Sequence, residues 1–181
     1  MRIAMTGVAA LLLNGCSGTM AGQERTALIS KMQVDALTTL RTADGSDVGS
    51  VYVTKLDDGL AFNVSAKAMP AGTHGIHAHT TGRCEGPKFE TAGGHWNPTM
   101  KQHGRDNPLG AHHGDLPNLV IAADGTGTVS FTVPGATLTG GGGLLDADGA
   151  AFVVHAKPDD YRTDPSGTSG DRIACGVFAE S

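Results

Sequence analysis

All eight histidines of this 181-residue chain fall between positions 74 and 155: His74, His77, His79, His95, His103, His112, His113 and His155. Neutral imidazole is the commonest metal ligand among side chains, and scattered surface histidines would not gather in this way. Their spacing narrows the chemistry. His77 and His79 are two apart, so on a strand both rings leave the same face and can grip one ion. His155 follows the apolar run Phe152-Val153-Val154, where a neighbouring strand brings it to the same ion. His95, His103 and His112 with Asp115 supply three imidazoles and a carboxylate, which suits a closed tetrahedral zinc site. An imidazole-rich, square-planar group suits copper(II). Spacing alone predicts one or two histidine-rich metal sites.

The elements that must carry these residues read as β. Aromatics make up only 4% of the chain and glycine is abundant at 27 residues, which favours short strands and tight turns over a helical bundle. Strands are expected over 37–41, 48–56, 60–67, 75–79, 119–123, 128–133, 151–157 and 173–179. Ala43-Asp44-Gly45, Asp57-Asp58-Gly59 and Asp124-Gly125 serve as turns. Leu60, Phe62 and Val64 alternate with period two, and no stretch carries a 3.6-residue period. The class is all-β, a sandwich or closed barrel. Two long loops, 80–117 and 158–172, break the strand rhythm and need something to order them. Cys84 and the histidine cluster are the agents in view.

Residues 1–15 read as an export signal: Arg2 supplies a positive charge, and the apolar run 8–13 is too short to span a bilayer. The segment ends in Leu13-Asn14-Gly15-Cys16, which resembles the lipobox of bacterial lipoproteins, where the cysteine is lipidated. A plain secretory signal cut elsewhere is the alternative. Residues 16–33 are expected to tether the domain, 34–181, to a membrane reached by the lipid alone. That places the protein in the periplasm, with Ser17 fitting delivery to the outer membrane. Three cysteines is an odd count for an exported protein. With Cys16 lipidated, Cys84 and Cys175 remain, either bridged or as two free thiols. The net charge of −5 and the lack of a basic tract argue against a nucleic-acid partner.

Five blocks carry a specific resemblance: Gly72-Thr73-His74-Gly75-Ile76-His77-Ala78-His79, Gly93-Gly94-His95-Trp96-Asn97-Pro98, His112-His113-Gly114-Asp115-Leu116-Pro117-Asn118, Val153-Val154-His155, and Gly170-Asp171-Arg172-Ile173-Ala174-Cys175-Gly176-Val177. In this order, over about residues 36–179, they resemble the copper/zinc superoxide dismutases. The resemblance implies an eight-stranded Greek-key barrel with the metals outside it, under two loops. It implies one copper per subunit on His77, His79, His95 and His155, and one zinc on His95, His103, His112 and Asp115. Asp159 matches a carboxylate that links a copper histidine to a zinc histidine, and His74 matches a structural residue. Arg172, held by a Cys84–Cys175 bridge, matches the arginine that receives the substrate anion. Ile76 and Trp96 replace aromatic residues common in the family. His113 is an unusual neighbour that leaves His112 and His113 as rival ligands, with the alignment favouring His112.

The implied activity is dismutation of superoxide to oxygen and hydrogen peroxide by a copper redox cycle, with His95 and Arg172 as catalytic groups. His95 bridges the metals, then takes and returns a proton. Lys88, Arg105, Lys157 and Arg162 are further candidates for guiding the anion. The family includes monomers and dimers, so a homodimer is possible. The alternative is a non-enzymatic copper- and zinc-binding module of the cell envelope. A zinc hydrolase would need one open metal site with a nearby base, which a shared His95 does not suit.

Overall fold

The computed structural model describes residues 33–180. The expected signal segment, Cys16 and nearly all of the tether lie outside the described residues. The chain order is β1 (Ala36–Arg41), β2 (Asp47–Leu56), β3 (Gly59–Ala66), β4 (Gly72–His74), β5 (Ile76–His79), a short 3-10 turn at Glu90–Ala92, β6 (Leu119–Ile121), β7 (Gly127–Pro134), β8 (Ala151–His155), β9 (Arg172–Val177) and β10 (Ala179–Glu180). The eight expected strand segments are all present. The count reaches ten because β4 lies outside the expected segments and Phe178 separates β9 from β10.

Two expected strands end early, for visible reasons. After Ile121 the Ala122 N–H donates to Thr126 O at 2.8 Å, which closes the turn into β7. After His155 the N–H groups of Ala156 and Lys157 donate to Asp171 and Ser169, so the chain pairs with the second long loop.

The strands form one curled antiparallel sheet in the order β5-β8-β9-β1-β2-β3-β7, with β10 paired to β1. A second, two-stranded sheet joins β4 to β6. Because β4 runs into β5 and β6 turns into β7, this small sheet links the two ends of the large one. Period-two alternation fills the inside. Val51 and Val53 of β2 and Leu60, Phe62 and Val64 of β3 are buried beside Ile76, Leu119, Phe152 and Phe178. Phe62 stacks on Phe131 with ring centroids 5.3 Å apart and meets Phe178 edge-on at 6.3 Å.

Every residue of β8 is buried. Phe152 and Val154 face the main core, while Ala151 and Val153 pack with Phe89, Ala92 and Cys175 in a second cluster. The first long loop therefore covers the outer face of β8, which explains its unbroken apolar run. Cys84 and Cys175 are disulfide-bonded, with Cα atoms 5.7 Å apart, and this fastens the loop to β9.

Candidate metal centre

A ring of three backbone hydrogen bonds gathers the ligand-bearing segments. Ala78 N–H donates to Gly114 O at 3.1 Å, Gly114 N–H to Trp96 O at 2.9 Å, and Trp96 N–H to Ala78 O at 2.8 Å. Ala78 lies between His77 and His79, Trp96 follows His95, and Gly114 lies between His113 and Asp115. Fixing three peptides thus fixes several side chains at once. Position 114 must be glycine for this approach, since a Cβ there would sit 2.2 Å from Ala78 O.

His77, His79, His95 and His155 each offer a nitrogen to one group, with these atoms all within 4.8 Å of one another. Three of the rings are held from behind. His77 Nε2–H donates to Asp159 Oδ2 at 2.8 Å, His79 Nδ1–H to Gly93 O at 2.9 Å, and His155 Nδ1–H to Gly170 O at 3.0 Å. Each bond spends one ring proton and leaves the opposite nitrogen as a lone pair in a neutral ring. The atoms so left, His77 Nδ1, His79 Nε2 and His155 Nε2, are buried and without a hydrogen-bond partner. Burial lowers all three pKa values, that of His77 to about 3 and that of His155 to about 4. Buried acceptors that face one another without donors require an explanation, and a copper ion fits the imidazole donor set.

His95 joins this group to a second one, formed with His103, His112 and Asp115. Three Nδ1 atoms converge on Asp115 Oδ1: His95 at 2.8 Å, His103 at 2.9 Å and His112 at 3.1 Å. His95 and His112 Nδ1 lie 3.4 Å apart. A zinc tetrahedron with bonds near 2.0–2.1 Å has edges of about 3.3 Å, so the four donors need only spread slightly to accept the ion. Asp115 Oδ2 accepts N–H bonds from Gly104 and His112 at 2.8 and 2.9 Å. Burial pushes the Asp115 pKa up, but its histidine partners outweigh this and hold it far below the ordinary carboxylate range. The structure brings His112, not His113, to Asp115. The His113 ring instead meets Trp96 edge-on at 5.1 Å.

Asp159 lies behind both groups, with Oδ2 on His77 and Oδ1 accepting from His103 Nε2 at 3.0 Å. His74 stands apart, its ring nitrogens 2.7 Å from His155 O and 3.0 Å from Pro70 O. Arg172 donates from Nη1 to Phe89 O at 2.7 Å and from Nη2 to Gly93 O at 2.8 Å. With His95, His112 and His155 it lines an open hollow of about 860 Å³.

Of the other candidate cations, Lys88 lines that hollow and Arg105, Lys157 and Arg162 do not. Arg105 borders a different hollow beside β7, Lys157 lies along Gly170, and Arg162 reaches Asp106 at 3.9 Å. Glu90 and Asp171 also line the cavity. Asp171 comes with its neighbour Arg172, whereas nothing in its spacing marks Glu90, which loop folding alone brings there.

A curled antiparallel sheet bearing two histidine groups that share one ring defines a protein of the β-barrel class with two adjoining candidate metal sites. Residues 48–178 match the copper/zinc superoxide dismutase (SODC) family, and the chain belongs to that family. It is 46% identical over 139 residues to the superoxide dismutase-like protein YojM of Bacillus subtilis, covering 75% of this chain and 71% of the relative. It is 42% identical over 147 residues to the copper-zinc superoxide dismutase of Caulobacter vibrioides, covering 79% and 84% respectively. Among solved structures, it resembles a superoxide dismutase-like protein from Bacillus subtilis that carries two substitutions to histidine. The TM-score is 0.74 at 45% identity, with 78% of this chain and 95% of that one covered.

Proposed function

We propose that this chain dismutates superoxide at the cell envelope, turning two superoxide anions and two protons into oxygen and hydrogen peroxide. Copper would be held by His77 Nδ1, His79 Nε2, His155 Nε2 and His95, and zinc by His95, His103, His112 and Asp115. Bound there, copper would supply one-electron redox chemistry and zinc a fixed positive charge. The observation that carries this reading is the set of three buried, unpartnered ring nitrogens gathered around the shared His95.

The protein's own groups have distinct tasks. His95 Nδ1 faces Asp115, so Nε2 is the atom left on the copper side to take a proton and pass it to product. The Arg172 guanidinium is pinned by two carbonyls and keeps further N–H groups for an incoming anion. Asp159, Gly93 and Gly170 fix ring tautomers, so the lone pairs need no rearrangement.

The test is superoxide consumption by the copper- and zinc-loaded protein beside His155→Ala. Fast copper-dependent loss that disappears in the variant supports the enzyme. Tight metal binding without turnover in either protein favours the non-enzymatic envelope module, and one relative is named only superoxide dismutase-like.

Export and lipidation at Cys16, with anchoring at the outer membrane, belong to the same proposal. A disulfide between Cys84 and Cys175 suits an oxidising compartment. Metabolic labelling with a fatty acid, lost in Cys16→Ala, tests the anchor.

A further inference from the structure

We propose that Asn118 is a positioning residue that holds Asp159 in place between His77 and His103. Asp159 is buried and lies in the second long loop, where no named strand supplies its backbone with a partner. The Asn118 side chain does so. Asp159 N–H donates to Asn118 Oδ1 at 2.9 Å, and Asn118 Nδ2–H donates to Asp159 O at 2.9 Å. One side-chain amide thus imitates a strand peptide and grips the Asp159 main chain from both ends.

Asn118 is itself anchored. Its N–H donates to Tyr161 Oη at 2.8 Å, and it immediately precedes β6, whose Leu119 is fully buried in the core. The path therefore runs from a core strand through Asn118 to Asp159, and from its two oxygens to His77 Nε2 and His103 Nε2. The carboxylate direction follows from the Asp159 backbone together with the Tyr161 N–H that Oδ1 accepts at 2.7 Å, and a rotated Asp159 peptide draws the short side chain away from that donor. Losing the grip would release the two rings together. Without the Asp159 acceptor, His77 no longer presents Nδ1 as its lone pair and His103 no longer aims Nδ1 at Asp115.

The test uses the metal-free full chain with 15N-labelled histidine rings and reads ring N–H exchange with solvent. Asn118→Asp keeps size and shape while replacing the Nδ2–H donor with an acceptor. Asn118→Ala removes the grip without adding charge, and it serves if the first variant does not fold. In either variant the Nε2–H protons of His77 and His103 are expected to exchange at least about tenfold faster. The ring N–H of His74, whose nitrogens lie 2.7 Å from His155 O and 3.0 Å from Pro70 O, is expected to keep its rate. Unchanged exchange at His77 and His103 overturns the proposal, as does equal loosening of His74, which would mark general destabilisation.

A second measurement, zinc retention against a chelator, is expected to weaken by about tenfold, the lower end of the effect of losing a group behind a ligand. This arm rests on the metal reading above, whereas the exchange arm does not. Selective loosening in a protein that takes up no zinc would overturn that reading and leave this one standing. Zinc retention unchanged beside selective loosening would overturn the role of Asn118 in metal binding.

Discussion

Arg172 and His79 meet at one acceptor: Gly93 O takes the Arg172 Nη2–H at 2.8 Å and the His79 Nδ1–H at 2.9 Å. The group proposed to receive the anion and a ring proposed to hold copper are thereby registered to one peptide. That peptide belongs to the first long loop, and Arg172 grips the same loop again at Phe89 O. Lysine carries the charge but cannot span two carbonyls with a rigid fork. Arg172→Lys is expected to lower the rate of superoxide consumption by about tenfold, the worth of one charge-assisted bond of roughly 1.5 kcal/mol. Metal content should stay unchanged. Stopped-flow rates beside metal analysis check this, and an unaltered rate would show that the fork is dispensable.

The same loop depends on Cys84–Cys175. The bridge joins positions 91 apart and lies against Phe89, Ala92, Ala151 and Val153. Cys84→Ser with Cys175→Ser is expected to cost about 2–5 kcal/mol in denaturant unfolding. Arg172 should also lose its fixed partners, so activity per bound copper should fall as well as stability. A variant with full activity per copper would mean that Phe89 and Gly93 hold their places without the bridge.

A pH dependence follows from His103. Its Nδ1 and Nε2 lie 2.9 and 3.0 Å from oxygens of Asp115 and Asp159, so both nitrogens donate and the metal-free ring is an imidazolium. Burial alone would lower its pKa, but the two carboxylates outweigh it and raise the value from 6.5 to about 9. The folded form then binds more protons than the unfolded chain across that window. This stabilisation is complete below pH 6.5 and is lost as pH rises through about 9. His77 and His155 have the opposite sign, since burial lowers them to about 3 and about 4, and they withdraw stability as pH falls from 6.5. Metal-free stability is expected to peak near pH 6.5. Zinc requires an unprotonated His103 Nδ1, so the alkaline loss should vanish when zinc is bound. Denaturant titrations at several pH values, with zinc and with chelator, check both halves. A flat metal-free profile on the alkaline side would contradict the paired ring.

The gathering of the rings was legible because it rests on strand geometry. His77 and His79 share a face by period two, and His155 ends an apolar run that β8 buries on both sides. The eight strand segments were legible for the same reason. The free nitrogen on each ring was not, since that depends on the carbonyl or carboxylate behind it, and Gly93, Gly170 and Asp159 reach the rings through long loops. Spacing does not separate His112 from His113; the family alignment favours His112, and docking of the Gly114 peptide on Ala78 and Trp96 gives the physical reason. Three of the candidate guiding cations do not line the cavity, for a similar reason. A charge on an aperiodic loop carries no sign of which side it faces.

Gly167 offers the sharpest test of how closely the second loop fits. It has φ +59°, and a Cβ there would sit 1.7 Å from Asp159 Oδ1 and 2.8 Å from His103 Nε2. A carboxylate can sometimes swing aside, but this oxygen also accepts from Tyr161 N–H at 2.7 Å and from His103 at 3.0 Å. Moving it breaks the contact that orients His103. Left-handed backbone alone costs an alanine about 1–2 kcal/mol, so that cost must be separated from the collision. Gly45 provides the control, with φ +87° and nothing within 4 Å of its would-be Cβ. Gly45→Ala should lower stability modestly and leave metal binding intact. Gly167→Ala should lower it further and release zinc at chelator concentrations that the parent withstands, because Asp159 and His103 cannot both keep their places. Equal zinc retention in the two variants would mean that the Asp159 carboxylate has room to move, and the close-fitting second loop would not be what holds the zinc group together.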